Sequence, residues 1–194
     1  LLRYVIMRLP KDPNQTLQIY HRRDWFGDGK ASPVSPFAGD ANKPKVCFIP
    51  TATGDDEAYI ESYYSTFSKL ECDPVHLDFF KRTPDLESLI LNQDIIFVGG
   101  GNTKSMLAVW RDWNLDKLLK IVYQNGTIMC GVSAGAICWF DLGITDSWEE
   151  ELKIMSCLGF VKGVCCPHYD EEPERRPTVH ELIKDQERSE EQHV

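Results

Sequence analysis

From Pro44 onward, short apolar runs alternate with longer stretches whose apolar residues recur every three or four positions. Val46-Cys-Phe-Ile-Pro50 is a run of buried-strand type, and Thr51 to Asp55 reads as the turn that follows it. Asp55 or Asp56 can cap a helix through about Leu70, because Tyr59, Ile60, Tyr63, Tyr64 and Phe67 fall on one face at helical spacing. Pro74 to Phe80 alternates like a strand, Asp85 to Leu91 reads as a short helix, and Asp94 to Val98 is a second buried strand. Three glycines come next, then a helix from about Thr103 to Arg111 and another from Leu115 to Gln124. Asn125-Gly126 stops that helix, and Thr127 to Val132 makes a third buried strand. Strands that alternate with helices need right-handed crossovers, so the pattern predicts an α/β fold with a mostly parallel central sheet. Ligands on such sheets collect at the carboxyl ends of the strands.

The first 44 residues are less regular. Leu1 to Leu9 is apolar, with Arg3 and Arg8 at helix-compatible spacing and Pro10 to stop it, and it reads as a helix. From Lys11 to Pro44, prolines and glycines break any long element, leaving one short strand at Thr16 to Tyr20. The expected organisation is a single domain over 1–194, with an irregular region over 1–44 and a catalytic core over 45–182. The chain starts without Met and ends in a polar run, Asp185 to Val194, with no further core strand. Both features point to a chain that is incomplete or completed by a partner.

Composition narrows the classes. A length of 194 residues suits one domain with one real core. The net charge of −9 argues against nucleic acid and against an anionic membrane surface, which both need clustered Lys and Arg. No apolar run approaches the roughly 20 residues of a membrane span, and no secretory leader is visible, so a cytoplasmic location is expected. The seven cysteines are an odd number, and several lie inside apolar runs, which suits reduced buried thiols better than a disulfide framework. With no CxxC pair a structural zinc site is not expected, and no metal or organic cofactor is implied.

Two glycine-flanked strand ends carry the candidate chemistry. Gly131-Val-Ser-Ala-Gly135 fits the nucleophile-elbow pattern G-x-S-x-G, between a buried strand and the helix start Ala136-Ile-Cys-Trp. A sharp turn there lifts the Ser133 hydroxyl clear of the sheet and turns the Ala134 N–H toward an oxyanion; a purely structural strand-to-helix turn is the alternative. Gly99-Gly-Gly101 can aim backbone N–H groups at a negative oxygen because no Cβ blocks the approach. A phosphate cradle is the competing reading of that loop, although it lacks both the P-loop Lys-Ser/Thr and the G-x-G-x-x-G spacing. A serine needs a base. Of the histidines at 21, 76, 168, 180 and 193, His168 stands out, at the end of the short strand that runs into Pro167; on position alone it is as readily structural as functional.

Phe-Val-Gly-Gly-Gly-Asn-Thr, Ser-Ala-Gly-Ala and Pro-His-Tyr, in that order, resemble the dipeptidase E (aspartyl dipeptidase) and cyanophycinase family of serine peptidases, from about Lys45 to Leu182. That resemblance implies a three-layer sandwich related to class I glutamine amidotransferases. It implies Ser133 as nucleophile, His168 as general base, and the N–H groups of Gly101 and Ala134 as the oxyanion hole. The third member is expected after the elbow helix, with Asp146 preferred over Glu149, Glu150 and Glu151, and a Ser-His pair is the alternative. Arg175 and Arg176, with Asn102 of the glycine motif, are expected to bind substrate. A guanidinium gripping a carboxylate would favour Xaa-Asp dipeptides; local pairing of these arginines with Glu171, Glu172 and Glu174 is the structural alternative. The expected activity is hydrolysis of small peptides through an acyl-enzyme, with a homodimer as the assembly allowed. A catalytically silent binding module on the same fold is the second reading. A cysteine-dependent amidotransferase using Cys130 or Cys138 fails on position, since neither is the central residue of the elbow.

Overall fold

The computed structural model describes residues 4–8, 18–22, 43–148, 151–169, 172–173 and 175–191, of which 4–8, 18–22 and 185–191 are described as backbone alone. Nine strands and six α-helices follow one another along these residues. They are β1 (Tyr4–Arg8), β2 (Gln18–Arg22), β3 (Lys45–Ile49), α1 (Glu57–Phe67), β4 (Asp73–His76), α2 (Leu86–Ile90), β5 (Ile95–Val98), α3 (Thr103–Asp112), α4 (Leu115–Gln124) and β6 (Ile128–Val132). Then come α5 (Ala134–Ile137), β7 (Phe140–Thr145), β8 (Lys153–Ser156), β9 (Val161–Cys165) and α6 (Arg175–Glu191).

The main sheet has the order β2-β1-β6-β5-β3-β4, and its four strands β6, β5, β3 and β4 run parallel. Period-two alternation divides the buried strand residues between two faces. Val46, Phe48, Ile95, Phe97, Ile128 and Cys130 pack against Ile60, Tyr63 and Phe67 of α1. Their neighbours Cys47, Ile49, Ile96, Val98 and Met129 pack on the other face with Met106 and Trp110 of α3 and Leu119 of α4. The near-continuous apolar runs thus mark strands covered on both sides, in the three layers expected. A second sheet, β8-β7-β9, lies beyond α5. Among the described residues no helix is long and apolar enough to cross a membrane.

The structure corrects the reading at four places. Leu1 to Leu9, read as a helix, contains β1, which runs antiparallel to β6 with Tyr4 opposite Val132 and Met7 opposite Met129. Nine residues are too few for a helix to hold by itself, and the open edge of β6 offers the backbone a ladder of partners instead. The short strand placed at 16–20 sits two residues later, as β2, and pairs with β1. The strand expected over 74–80 ends at His76, because the amides of Phe79 and Phe80 turn away to the Asp55 carboxylate, at 2.5 and 2.9 Å. The helix after Ser133 lasts only four residues before β7, which the sequence reading did not contain, takes over.

Candidate active site

Ser133 is the hinge between β6 and α5, with φ 51° and ψ −112°, a conformation that a residue with a side chain seldom adopts. The turn is possible because its flanking positions have no side chain. A Cβ at Gly131 would stand 2.1 Å from the carbonyl oxygen of Gly135, and one at Gly135 would stand 2.2 Å from that of Val98. The chain therefore doubles back against β5 as closely as backbone can approach backbone.

The end of β5 lies beside this turn. A Cβ on Gly100 would lie 3.3 Å from that of Ser133. The Gly99 N–H donates to the Ile49 carbonyl at 3.1 Å, the Gly100 N–H to the Tyr59 hydroxyl at 3.4 Å, and the Asn102 N–H to the Ala52 carbonyl at 2.8 Å. Gly101, at φ 136°, lies so close to Ala52 that a Cβ would come within 2.3 Å of its oxygen. Among the described residues, neither the Gly101 N–H nor the Ala134 N–H is taken by a protein acceptor.

His168 arrives from the other side. Beyond β9 the chain passes Pro167, and His168 at φ 59° brings its Nε2 to 3.2 Å from Ser133 Oγ. The carbonyl of His168 accepts from the Glu172 N–H at 3.0 Å, and the Glu172 carbonyl accepts from the Arg175 N–H at 3.0 Å, so the turn runs directly into α6. His76 has other partners, Tyr64 Oη at 2.8 Å and Asp78 at 3.3 Å, and His180 meets Tyr169 Oη at 3.1 Å. His21 lies on β2, and His193 lies outside the described residues.

The remaining expected site residues cluster around a second network. Arg175 is 4% exposed; its Nη2 donates to Asp146 Oδ2 at 3.0 Å and its Nε to the Glu172 carboxylate. Burial works against the charged guanidinium, but the Glu172 and Asp146 carboxylates outweigh it and hold the pKa above the ordinary arginine value. Arg176 is exposed and its guanidinium sits 5.4 Å from the Tyr169 ring centre. Asn102 caps α3 by accepting from the Ser105 N–H at 2.8 Å, and its amide donates to the Ser147 carbonyl at 2.6 Å. Ser147, unnoticed in the sequence, also accepts from the Thr103 N–H at 2.9 Å and contacts Thr145 Oγ1 at 2.7 Å. No spacing rule singles out a serine of this kind. Glu149, Glu150, Glu171 and Glu174 lie outside the described residues, and Glu151 is exposed. Among the described residues no group of three or more His, Cys, Asp or Glu side chains is arranged to hold a metal ion.

Cysteine chemistry finds no support at the turn. Cys130 and Cys138 are at most 1% exposed, and desolvation pushes both thiols far up, as it pushes Cys47 to about 12. A thiol that cannot ionise is neither a nucleophile nor easily alkylated. Iodoacetamide near pH 8 is therefore expected to leave Cys130 and Cys138 unmodified in the native protein and to modify both in denaturant, read by peptide mass spectrometry. Rapid native labelling of either would contradict this burial.

The contact between Ser133 and His168 lies beyond the carboxyl end of β6, where ligands of open α/β sheets collect, and the comparisons with known proteins say which family the chain belongs to. The chain belongs to peptidase family S51, whose profile matches residues 31–192. It is 48% identical over 142 residues to the uncharacterized peptidase YgaJ of Bacillus subtilis (strain 168), an alignment covering 73% of this chain and 61% of YgaJ. It is 28% identical over 151 residues to the uncharacterized peptidase Lin0382 of Listeria innocua, covering 73% of this chain and 72% of the relative. Its fold resembles the crystal structure of a peptidase E protein from Listeria monocytogenes EGD-e, with a TM-score of 0.59 at 23% identity over 77% of this chain and 80% of that one. The chain thus spans less than two thirds of the length of YgaJ.

Proposed function

We propose that the protein is a serine-type peptidase acting on small peptides, with Ser133 as nucleophile at a nucleophile elbow and His168 as general base. The observation that carries this reading is the 3.2 Å approach of His168 Nε2 to Ser133 Oγ, near the Gly101 and Ala134 amides, which no acceptor among the described residues takes. As Oγ attacks the peptide carbonyl, a C–O bond forms and the imidazole accepts the hydroxyl proton. The oxyanion then accepts hydrogen bonds from the N–H groups of Gly101 and Ala134, donors fixed in place before the charge develops. Collapse breaks the C–N bond, the imidazolium returns its proton to the departing amine, and water resolves the acyl-enzyme by the same steps.

A preference for Xaa-Asp dipeptides would rest on Arg176, which is exposed, more than on Arg175, whose guanidinium is already held by two carboxylates. The test is a neutral alkyl fluorophosphonate applied to the full-length, folded protein, followed by peptide mapping. Modification at Ser133, blocked in advance by heat denaturation, is the expected result. A folded protein that stays unlabelled would instead support a binding module on the same fold. An Arg176→Ala variant is expected to raise KM for Xaa-Asp by about tenfold, the worth of one exposed charge-assisted hydrogen bond, with KM for Xaa-Ala unchanged.

A further inference from the structure

The glycine loop and the turn that carries His168 meet at Ser133, and a continuous chain of side-chain and backbone bonds ties both to the segment after β7. The glycine loop is bound to the segment after β7 by Asn102 Nδ2 to the Ser147 carbonyl, at 2.6 Å, and by the Thr103 N–H to Ser147 Oγ, at 2.9 Å. One residue earlier on that segment, Asp146 receives Arg175 Nη2 at 3.0 Å. Arg175 Nε bonds the Glu172 carboxylate, and the Glu172 N–H bonds the carbonyl of His168 at 3.0 Å. The segment 145–147 is thus the common support of the loop that carries the Gly101 amide and of the turn that carries His168.

Arg175 is the member of this chain whose chemistry is hardest to replace. Its side chain is 4% exposed, and its planar fork spans two carboxylates on different segments, which a lysine's single point of charge cannot do. Asp146 is the more exposed partner, at 62% of its side chain, so the guanidinium and not the carboxylate is the fixed point. His168 needs such a support because its backbone is held at φ 59°, where a non-glycine residue stays only if its surroundings impose it.

We propose that Arg175 is a positioning residue that sets His168 and the oxyanion loop in register by bridging Asp146 and Glu172, and that it does not grip the substrate. This rests on the peptidase reading of Ser133 and His168. Asp146 would then serve the imidazole at one remove, through the turn that Arg175 holds.

The experiment uses the full-length protein as wild type, Arg175→Lys, Arg175→Met and Asp146→Asn. It measures the rate of Ser133 modification by a neutral alkyl fluorophosphonate, kcat and KM on Xaa-Asp and Xaa-Ala dipeptides, and melting temperature. Arg175→Met is expected to slow modification by about a hundredfold, the cost of an ångström-scale misplacement of reacting groups. Its kcat should fall equally on the acidic and neutral dipeptides while KM moves little. Arg175→Lys should recover only part of the loss, and Asp146→Asn should share its direction. A raised KM confined to Xaa-Asp, with fluorophosphonate modification at the wild-type rate, would overturn the proposal in favour of a substrate-gripping arginine. So would a lowered melting temperature with unchanged kcat per folded molecule. Should Arg175→Met fail to fold, Asp146→Asn decides alone, because its side chain is mostly in solvent. Wild-type protein that resists the probe would remove the peptidase reading itself, a result distinct from a variant that matches an active wild type.

Discussion

Ser133→Ala is expected to lower kcat on a small peptide by roughly 10⁵-fold while leaving the fold intact. Loss of a nucleophile in a serine-histidine site removes covalent catalysis outright, leaving what the oxyanion donors and substrate binding still supply. Alanine keeps the Cβ, so the strain at φ 51° and ψ −112° stays, and the melting temperature should move by no more than a few degrees. Ser133→Gly should be equally inactive yet no less stable, because the roughly 1–3 kcal/mol stored in such a conformation is released against about 1 kcal/mol of glycine entropy. Steady-state kinetics with thermal melts of both variants give the answer. Activity within tenfold of wild type would remove Ser133 from the chemistry, and a glycine variant several degrees less stable would show that the turn is not strained.

Part of the fold and of the site around Ser133 was legible in the sequence. The buried strands β3, β5 and β6 were legible because a strand covered on both faces is an uninterrupted apolar run, and α4 because its amphipathic pattern is bounded at both ends. The pairing of Ser133 with His168 was legible only through the resemblance that the three ordered motifs carry, since His168 follows β9 of the second sheet and its position alone left it as readily structural as functional. β1 was not, since five residues ending in Arg8 fit either period, and only the exposed edge of β6 decides between them. β7 was missed although its pattern is strand-like, with Phe140, Leu142 and Ile144 alternating with Asp141, Gly143 and Thr145; the stretch follows the elbow turn directly, and its partners β8 and β9 come later in the chain. Arg175 reads in sequence as one of two equivalent arginines at a helix start. Burial separates them: one guanidinium is enclosed between two carboxylates, the other is exposed beside Tyr169. No local pattern carries that distinction, because Asp146 is 29 residues away.

The same close packing that presents the serine predicts a large loss of stability from a single methyl group. At Gly135 an added Cβ would meet the Val98 carbonyl oxygen at 2.2 Å, its carbon at 2.6 Å and the Val98 Cβ at 2.8 Å. Two of these three atoms are backbone of the buried strand β5, so no rotamer change relieves the contact; either β5 or α5 must move. Ordinary overpacking of a core costs about 1–3 kcal/mol, where side chains can yield. Here Gly135→Ala should cost about 4 kcal/mol or more, a large part of the 5–15 kcal/mol that holds a typical domain together. Gly126→Ala is the contrasting control: its φ of 93° is unfavourable to alanine, a strain Gly135 does not have, but nothing lies within 4 Å of the added atom. That variant should lose only the backbone term, about 1–2 kcal/mol. Urea unfolding of the two variants separates backbone strain from steric conflict, and a Gly135→Ala midpoint equal to that of Gly126→Ala would mean that β5 and the turn are not in contact. Since Gly99 follows Val98 directly, any shift that makes room for the methyl group also carries the glycine loop away from Ser133. Folded molecules of Gly135→Ala should therefore react with a fluorophosphonate far more slowly than wild type, coupling the stability of the turn to the chemistry it supports.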